Sequence, residues 1–272
     1  MTTHQTAQEA AALVERLEAH QVRSRQMWRL QFAATWAVLI VLLLIFLAYT
    51  GNLDFEWIQT NWLFILAGAG LTVVVSAASI GLATFLAVFG ALGRLSRSPA
   101  LNGIASLYVS LIRGTPLIVQ IFFIFFALPQ VGIVLPAIPT GVIALGVNYG
   151  AYMTEIFRAG LQAVARGQRE AAQALGMSER LVFRRIVAPQ AVQIVTPAVG
   201  NEFVAMIKDS ALVSLIGVQE LFWRAEVTGS RDIRSLQAFA VAAAFYWVVT
   251  ILFSVVQDRL EKRMARGDRP YR

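Results

Sequence analysis

The chain contains no cysteine, which excludes disulfides, thiolate nucleophiles and cysteine-ligated metals. Its two histidines, His4 and His20, both lie in the N-terminal tail. A His/Cys metal site inside a later apolar bundle is therefore excluded, and only carboxylate sites stay open. Lysine occurs twice, as Lys208 after Ile207 and Lys262 after Glu261. A phosphate-cradling Gly-Lys-Ser/Thr loop is thus absent, and any ATP must be handled by another chain. No nucleophile and base stand at a recognisable catalytic spacing, so the sequence does not read as an enzyme. Charge is scarce too: 14% of residues are charged, against about 25% in soluble domains.

Apolar residues fill the gap. They make up 57% of the chain, and mean hydropathy is +0.63. Several runs approach the roughly 20 apolar residues that cross a bilayer, the clearest being the charge-free stretch from Phe32 to Thr50. The pattern predicts an all-α, polytopic transmembrane helix bundle of about six spans, at 31–50, 62–92, 103–128, 138–160, 190–221 and 236–257. Residues 1–29 read as a polar, partly helical tail, with Ala10, Leu13 and Leu17 at helical spacing. Its weak stripe suits a surface or docking helix, and its Glu9, Glu15 and Glu18 argue against a cleaved signal peptide.

In a membrane protein the net charge of +7 matters less than where the basic residues fall. With the N-terminus in the cytoplasm, 18 of the 23 basic residues lie on that side: in the tail, at Arg94 and Arg97, between Arg158 and Arg185, and from Arg259 onward. The first external loop carries only Asp54 and Glu56, and the second is uncharged. Both termini are therefore expected inside. An external loop from Phe222 to Ser235 dissents with Arg224, Arg231 and Arg234, offset by Glu226 and Asp232.

The longest cytoplasmic connection, after the fourth span, reads as two short helices. Glu170 to Leu175 are good helix formers, Gly176 suits a helix C-terminus, Ser178 suits an N-cap, and Pro189 interrupts the chain before the fifth span. A DNA-binding helix-turn-helix has this shape as well, but a recognition helix must reach a major groove, and here both ends enter the membrane. No nucleic-acid partner is expected. Ala171, Ala172 and Gly176 instead offer a smooth surface for close approach by a protein, with Glu170 as an orienting charge.

These residues also carry a resemblance. Glu170-Ala171-Ala172, Gly176, Ile186 and Ala188-Pro189 resemble the EAA loop of ABC importer permeases, with Ala188 where that family usually has Leu. Arg113-Gly114-Thr115-Pro116-Leu117, Glu155-Ile156-Phe157-Arg158, Gly167-Gln168 and Lys208-Asp209-Ser210 are similar to the polar amino acid permeases of the histidine/glutamine type. The likeness covers roughly residues 61–260. It implies a five-span importer core; the extra first span with its external loop (30–60) departs from that pattern, and a basic tail (261–272) follows the core. It implies a multi-pass subunit of the bacterial inner membrane that moves polar amino acids by alternating access and binds no cofactor itself. Two ATPase subunits carrying ATP and Mg would dock at Glu170, Ala171, Ala172 and Gly176. A second permease chain and an external amino-acid-binding protein would complete the assembly. An ion-coupled carrier or channel working without an ATPase is the alternative.

Charged residues inside spans are costly and point to function. The candidates for the transport path are Arg113, Gly114, Thr115, Glu155, Lys208, Asp209, Ser210 and Ser214. Gly114-Thr115-Pro116 predicts a local break in the third span, and broken helices at mid-membrane present polar groups to substrate. Arg113 either attracts a substrate carboxylate or holds the break open. Glu155 and Arg158, three apart, either serve the path or pair with each other. Glu202, a further charged candidate, either serves the path or marks the cytoplasmic boundary. Lys208 and Asp209 are adjacent and face different ways. Ser210, Ser214 and Gly217 form a stripe for a path or for close packing. Phe122, Phe123, Phe125 and Phe126 read as packing rather than a gate, and Trp57 and Trp62 as interface anchors.

Overall fold

The computed structural model describes residues 2–51 and 53–265, with side chains for 23–46, 48–49 and 53–263. Arg266, Arg269 and Arg272, and the side chains of the tail before Arg23, lie outside what is described. The chain divides into two units at Phe55/Glu56. The first is one helix, α1 (Thr2–Gly51), 50 residues long and so about 75 Å in length. Tail and first apolar run form this single helix, along which Trp28 stacks on Phe32 at 5.1 Å.

The second unit is all helical among the described residues. Helix α2 (Phe55–Arg94) is followed by α3 (Pro99–Arg113) and α4 (Leu117–Phe122). A π-turn (Phe123–Ala127) and a 3-10 turn (Leu128–Val131) extend α4. Helix α5 (Ala137–Ala163) leads to the short α6 (Arg166–Ala174) and α7 (Glu179–Val182). A π-turn (Phe183–Val187) joins α7 to α8 (Ala188–Asp209), and a 3-10 segment (Ser210–Ile216) continues α8. Helices α9 (Leu221–Arg231) and α10 (Ser235–Ala265) complete the unit.

Small residues set the packing. The buried stripe of α2 runs Gly68, Thr72, Ser76, Ser79, Ala83, Ala87, Gly90 and Ala91, at the three- and four-residue spacing of one helix face. It meets glycines of α5, where Leu82 fills the space beside Gly146 and Leu86 that beside Gly150. Close backbone approach of this kind replaces the hydrophobic drive that lipid removes. The opposite side of α2 exposes Phe64, Val74, Phe85 and Phe89, as a lipid-facing side must. At Gly90 a Cβ would lie 2.2 Å from Thr154 Oγ1, an atom already tied to the Gly150 carbonyl. Gly90→Ala is expected to cost about 1–3 kcal/mol through overpacking, read as a lower thermal midpoint in detergent. Thr154→Ala in the same chain, which removes the two nearest atoms, should restore much of it.

Among the described residues, three helical stretches are long and apolar enough to cross a bilayer: Arg23–Phe46, Phe55–Arg94 and Ser235–Arg263. The pair Pro99–Arg113 and Leu117–Val131, bent by 105°, makes a fourth if it is one span. The fourth and fifth spans of the sequence reading fall on α5 and α8, of 27 and 22 residues. Both are more polar; α5 lies inside the bundle, whereas α8 buries Ala191, Val195, Met206 and Ile207 and exposes Val192 and Ile194. Helix α5 buries Thr140, Asn148, Tyr149 and Thr154 with four glycines.

Three further expectations are corrected. Residues 222–235 are not a loop: Leu221, Ala225, Thr228 and Gly229 bury one face of α9, and its charged residues took the other face and masked the helix. Pro189 does not interrupt the chain. The π-turn Phe183–Val187 widens the helix just before it, absorbing the clash and missing donor that a proline brings. The fifth span changes character at Asp209, so Gly217 is no part of a stripe with Ser210 and Ser214. It is exposed, at φ +87, and closes the 3-10 segment.

The aromatic run splits, with Phe123 and Phe126 exposed and Phe125 packed on the central core. Trp57 donates its indole N–H to Asp232 at 2.7 Å, and Trp62 is tilted against Phe245 at 6.5 Å. The Arg231 guanidinium, followed by the Trp57 indole, holds the Asp232 carboxyl down at about 2.

Candidate functional site

The break in the third span is built by Pro116 and its neighbours. Pro116 is extended (φ −62, ψ 139) and opens α4. Proline also keeps the preceding Thr115 out of the α region. Gly114 has an ordinary φ of −85, so its backbone freedom is not what the break uses. Its missing Cβ is, because one would sit 2.8 Å from the Ser110 carbonyl oxygen. The break frees backbone acceptors, and one side chain closes them. Gln120 Nε2 donates to the carbonyls of Ile112 at 2.8 Å and Thr115 at 3.1 Å, and to Thr115 Oγ1 at 2.9 Å. Asn148 Nδ2 donates to Gln120 Oε1 at 3.2 Å, fixing this stitch to α5.

A cleft of about 570 Å³ opens beside the break, lined by Arg113 to Leu117, by Asn148, Tyr149 and Tyr152 of α5, and by Glu202 and Asp209 of α8. This volume lies in the range of small-molecule pockets. Arg113 lies over the Tyr152 ring, 5.0 Å from its centroid, and the Tyr149 hydroxyl donates to Asp209 Oδ2 at 2.7 Å. Of the path candidates, Arg113, Gly114, Thr115 and Asp209 come together here.

Glu155, Lys208, Ser210 and Ser214 do not line the cleft. Glu155 is held by Arg94 at 3.0 Å and Arg158 at 2.8 Å, joining the end of α2 to α5. Lys208 is exposed. Ser210 is buried and donates to the Ile207 carbonyl at 2.8 Å. Ser214 Oγ is buried without a hydrogen-bond partner among the described residues. Sequence reasoning missed Gln120, Asn148, Tyr149 and Tyr152, and left Glu202 open between the path and the boundary; it lines the cleft. The legible signal was polar and aromatic residues one and four apart on an otherwise small-residue helix.

The second candidate is the knob between α5 and α8. Helix α6 ends in paired bonds from Gly176 N to the Gln173 carbonyl (2.9 Å) and from Met177 N to the Ala172 carbonyl (3.1 Å), with Gly176 at φ +78. This is the glycine-terminated helix end expected there. Ser178 takes the N-cap position of α7 but makes no side-chain cap bond. Gln173 donates to Glu179 at 2.6 Å, and Arg169 reaches back to the Leu161 carbonyl at 2.7 Å, so the knob is braced on itself and on α5. Glu170, Ala171 and Gly176 are exposed. Ala172 corrects the smooth-surface reading: it is buried with Val164, Val182, Val187 and Ala191, and its small size lets the knob close on its own core. Leu175, 84% exposed, was overlooked; it rims a groove of about 350 Å³ with Gln168, Met177 and Arg185.

Comparisons with known proteins agree with this architecture. Residues 79–266 match the family described as binding-protein-dependent transport system inner membrane component. The L-cystine transport system permease protein TcyB of Bacillus subtilis (strain 168) is 38% identical over 209 residues, 76% of this chain and 89% of that protein. The arginine transport system permease protein ArtQ of the same organism is 34% identical over 220 residues, 80% of this chain and 100% of that protein. Among solved structures, an amino acid ABC transporter crystallised with histidines aligns with a TM-score of 0.74 at 37% identity, covering 78% of this chain and 99% of that one. An inward-facing MetNI methionine ABC transporter aligns at 0.58 with 16% identity, covering 78% and 99%, and shows the shared fold. This chain is therefore a member of the binding-protein-dependent transport system inner membrane components, and within them of the amino-acid ABC permeases.

Proposed function

We propose that the chain passes polar amino acids across the bacterial inner membrane by alternating access, with the cleft at the broken span as its transport site. The observation that carries this reading is the cleft itself, which sets a guanidinium on one side of a helix break and carboxylates on the facing helix. An α-amino acid presents the complementary charges. ATP and Mg belong to two partner ATPase subunits docked on the knob, where Glu170, Ala171 and Gly176 offer the contact surface and Ala172 its support. A second permease chain and an external binding protein complete the complex. The bias of basic residues supports both termini facing the cytoplasm, which puts the knob on the side where ATP is found.

The test is ATP-driven uptake of labelled amino acids by proteoliposomes holding the complex. Arg113→Ala is expected to lower uptake about tenfold or more, the size of one lost charge-assisted contact, while the ATPase subunits still co-purify. Uptake by this chain with no ATPase present would replace this reading with the ion-coupled carrier.

A further inference from the structure

The turn that joins α2 to α3 carries two arginines with different surroundings. Arg94 points inward: its Nε donates to Glu155 at 3.0 Å and its Nη1 to Ser106, while Asn102 Nδ2 closes its carbonyl at 2.7 Å. Arg97 is exposed and forms no ion pair among the described residues. The bias of basic residues puts this turn at the cytoplasmic surface of the membrane.

A groove of about 490 Å³ runs inward from the turn between α2 and α3. Its floor is made of small residues, Gly90, Gly93 and Ala105, so the two helices leave a hollow there. Phe89, Leu101 and Ile104 form its walls and are 61%, 55% and 68% exposed. Tyr108 lies at the inner end, and its hydroxyl already donates to the Val147 carbonyl at 2.7 Å. Only its ring is left to offer. The groove is therefore apolar until it reaches Ser96 at the turn. Leu86 and Ser96, at its two ends, are ten residues apart, about 15 Å at the helical rise. One leaflet of a hydrocarbon core roughly 30 Å thick has the same depth. A helix is about 10–12 Å across, so a piece that long would occupy more than about 1,000 Å³, twice the groove. The hollow fits something slimmer.

We propose that this groove holds one acyl chain of an anionic phospholipid from the cytoplasmic leaflet, with the phosphate at Arg97. The chain accounts for the length and the apolar walls, and the headgroup supplies the negative charge that Arg97 lacks. The groove shares no lining residue with the cleft, so this site stands apart from the transport reading.

The test is native mass spectrometry of the delipidated, purified complex titrated with dioleoylphosphatidylglycerol, dioleoylphosphatidylcholine or inorganic phosphate. Phosphatidylglycerol should bind about fivefold tighter than phosphatidylcholine, the effect of one arginine near the headgroups. Arg97→Gln should erase that preference and leave phosphatidylcholine unchanged. Ile104→Ser, which makes an exposed wall polar, should weaken both lipids alike. Equal binding of the two lipids, or a preference that survives Arg97→Gln, overturns the inference. So does Ile104→Ser binding both as wild type does. Inorganic phosphate that competes away phosphatidylglycerol at equal concentration would make this a free-anion site and also overturn it. The chain has no cysteine, so Ile104→Cys carries a lone thiol. Disulfide-linked dimers of that variant, formed in oxidised membranes, would show that a second copy covers the groove in place of lipid.

Discussion

Glu220→Leu should produce a chain that reaches the membrane in low yield and unfolds early in detergent. Glu220 is fully buried, and its two carboxylate oxygens gather three elements. Oε1 accepts from the Trp223 backbone N–H at 2.8 Å, capping α9. Oε2 accepts from the Tyr246 hydroxyl of α10 at 2.6 Å and from Thr72 of α2 at 3.2 Å. The Leu221 N–H donates to the same Thr72 oxygen at 3.2 Å. Leucine fills the space but leaves the Trp223 N–H and the Tyr246 hydroxyl without their acceptor, while Thr72 keeps the Gly68 carbonyl at 3.3 Å. At about 1 kcal/mol or more per orphaned donor, the loss is about 2 kcal/mol. For a chain of this size that lowers the thermal midpoint by about 4–8 °C. Glu220→Gln keeps an acceptor, and both hydroxyls can reverse their bonds, so its midpoint should stay within about 3 °C of wild type. Equal losses for both variants would show that charge, rather than hydrogen bonding, holds this junction. The adjacent Gly68 leaves no slack, since a Cβ there would lie 2.7 Å from the backbone of Glu220 and Leu221.

Gly176→Val is expected to reduce substrate-stimulated ATP hydrolysis of the assembled complex by about tenfold or more. That assumes docking depends on a correctly terminated α6. The reason is backbone conformation, because nothing lies within 4 Å of a Cβ at this position. Gly176 sits at φ +78, where an L-residue pays roughly 1–2 kcal/mol and a β-branched one is a true outlier. The valine chain escapes the strain by unwinding the end of α6. That breaks the Gly176–Gln173 and Met177–Ala172 bonds and displaces the exposed Leu175. Gly176→Asn adds a larger polar side chain in the same open space, yet asparagine tolerates the left-handed region. It should retain most of the stimulation. Hydrolysis measured on reconstituted complexes separates the two accounts: if Asn is as damaging as Val, the partner's contact with a bare backbone matters rather than φ.

Much of this protein was legible before any tertiary contact was known. Apolar runs and scarce charge determined a helical membrane protein, because a bilayer admits few other spanning structures. Gly114-Thr115-Pro116 located the break, and Gly176 located the end of α6, because proline and left-handed glycine act on their own few residues. Ordered local motifs identified the family. The sequence was least informative where a residue's role depends on a neighbour far along the chain. Glu220, 148 residues from Thr72, is one more charge in a mixed stretch until α2, α9 and α10 converge on it. Asn148 and Tyr149 were hidden because interior helices are relieved of the need to be apolar. The helical period also failed beyond Asp209, where a 3-10 segment replaced the α-helix. Tertiary structure alone decided which charges share the cleft. Glu155 looked as eligible as Asp209, but Arg94 and Arg158 claim it, whereas Asp209 accepts from a tyrosine hydroxyl and forms no ion pair among the described residues. Sequence spacing fixes which side chains share a face of one helix, while the packing of several helices fixes which faces meet.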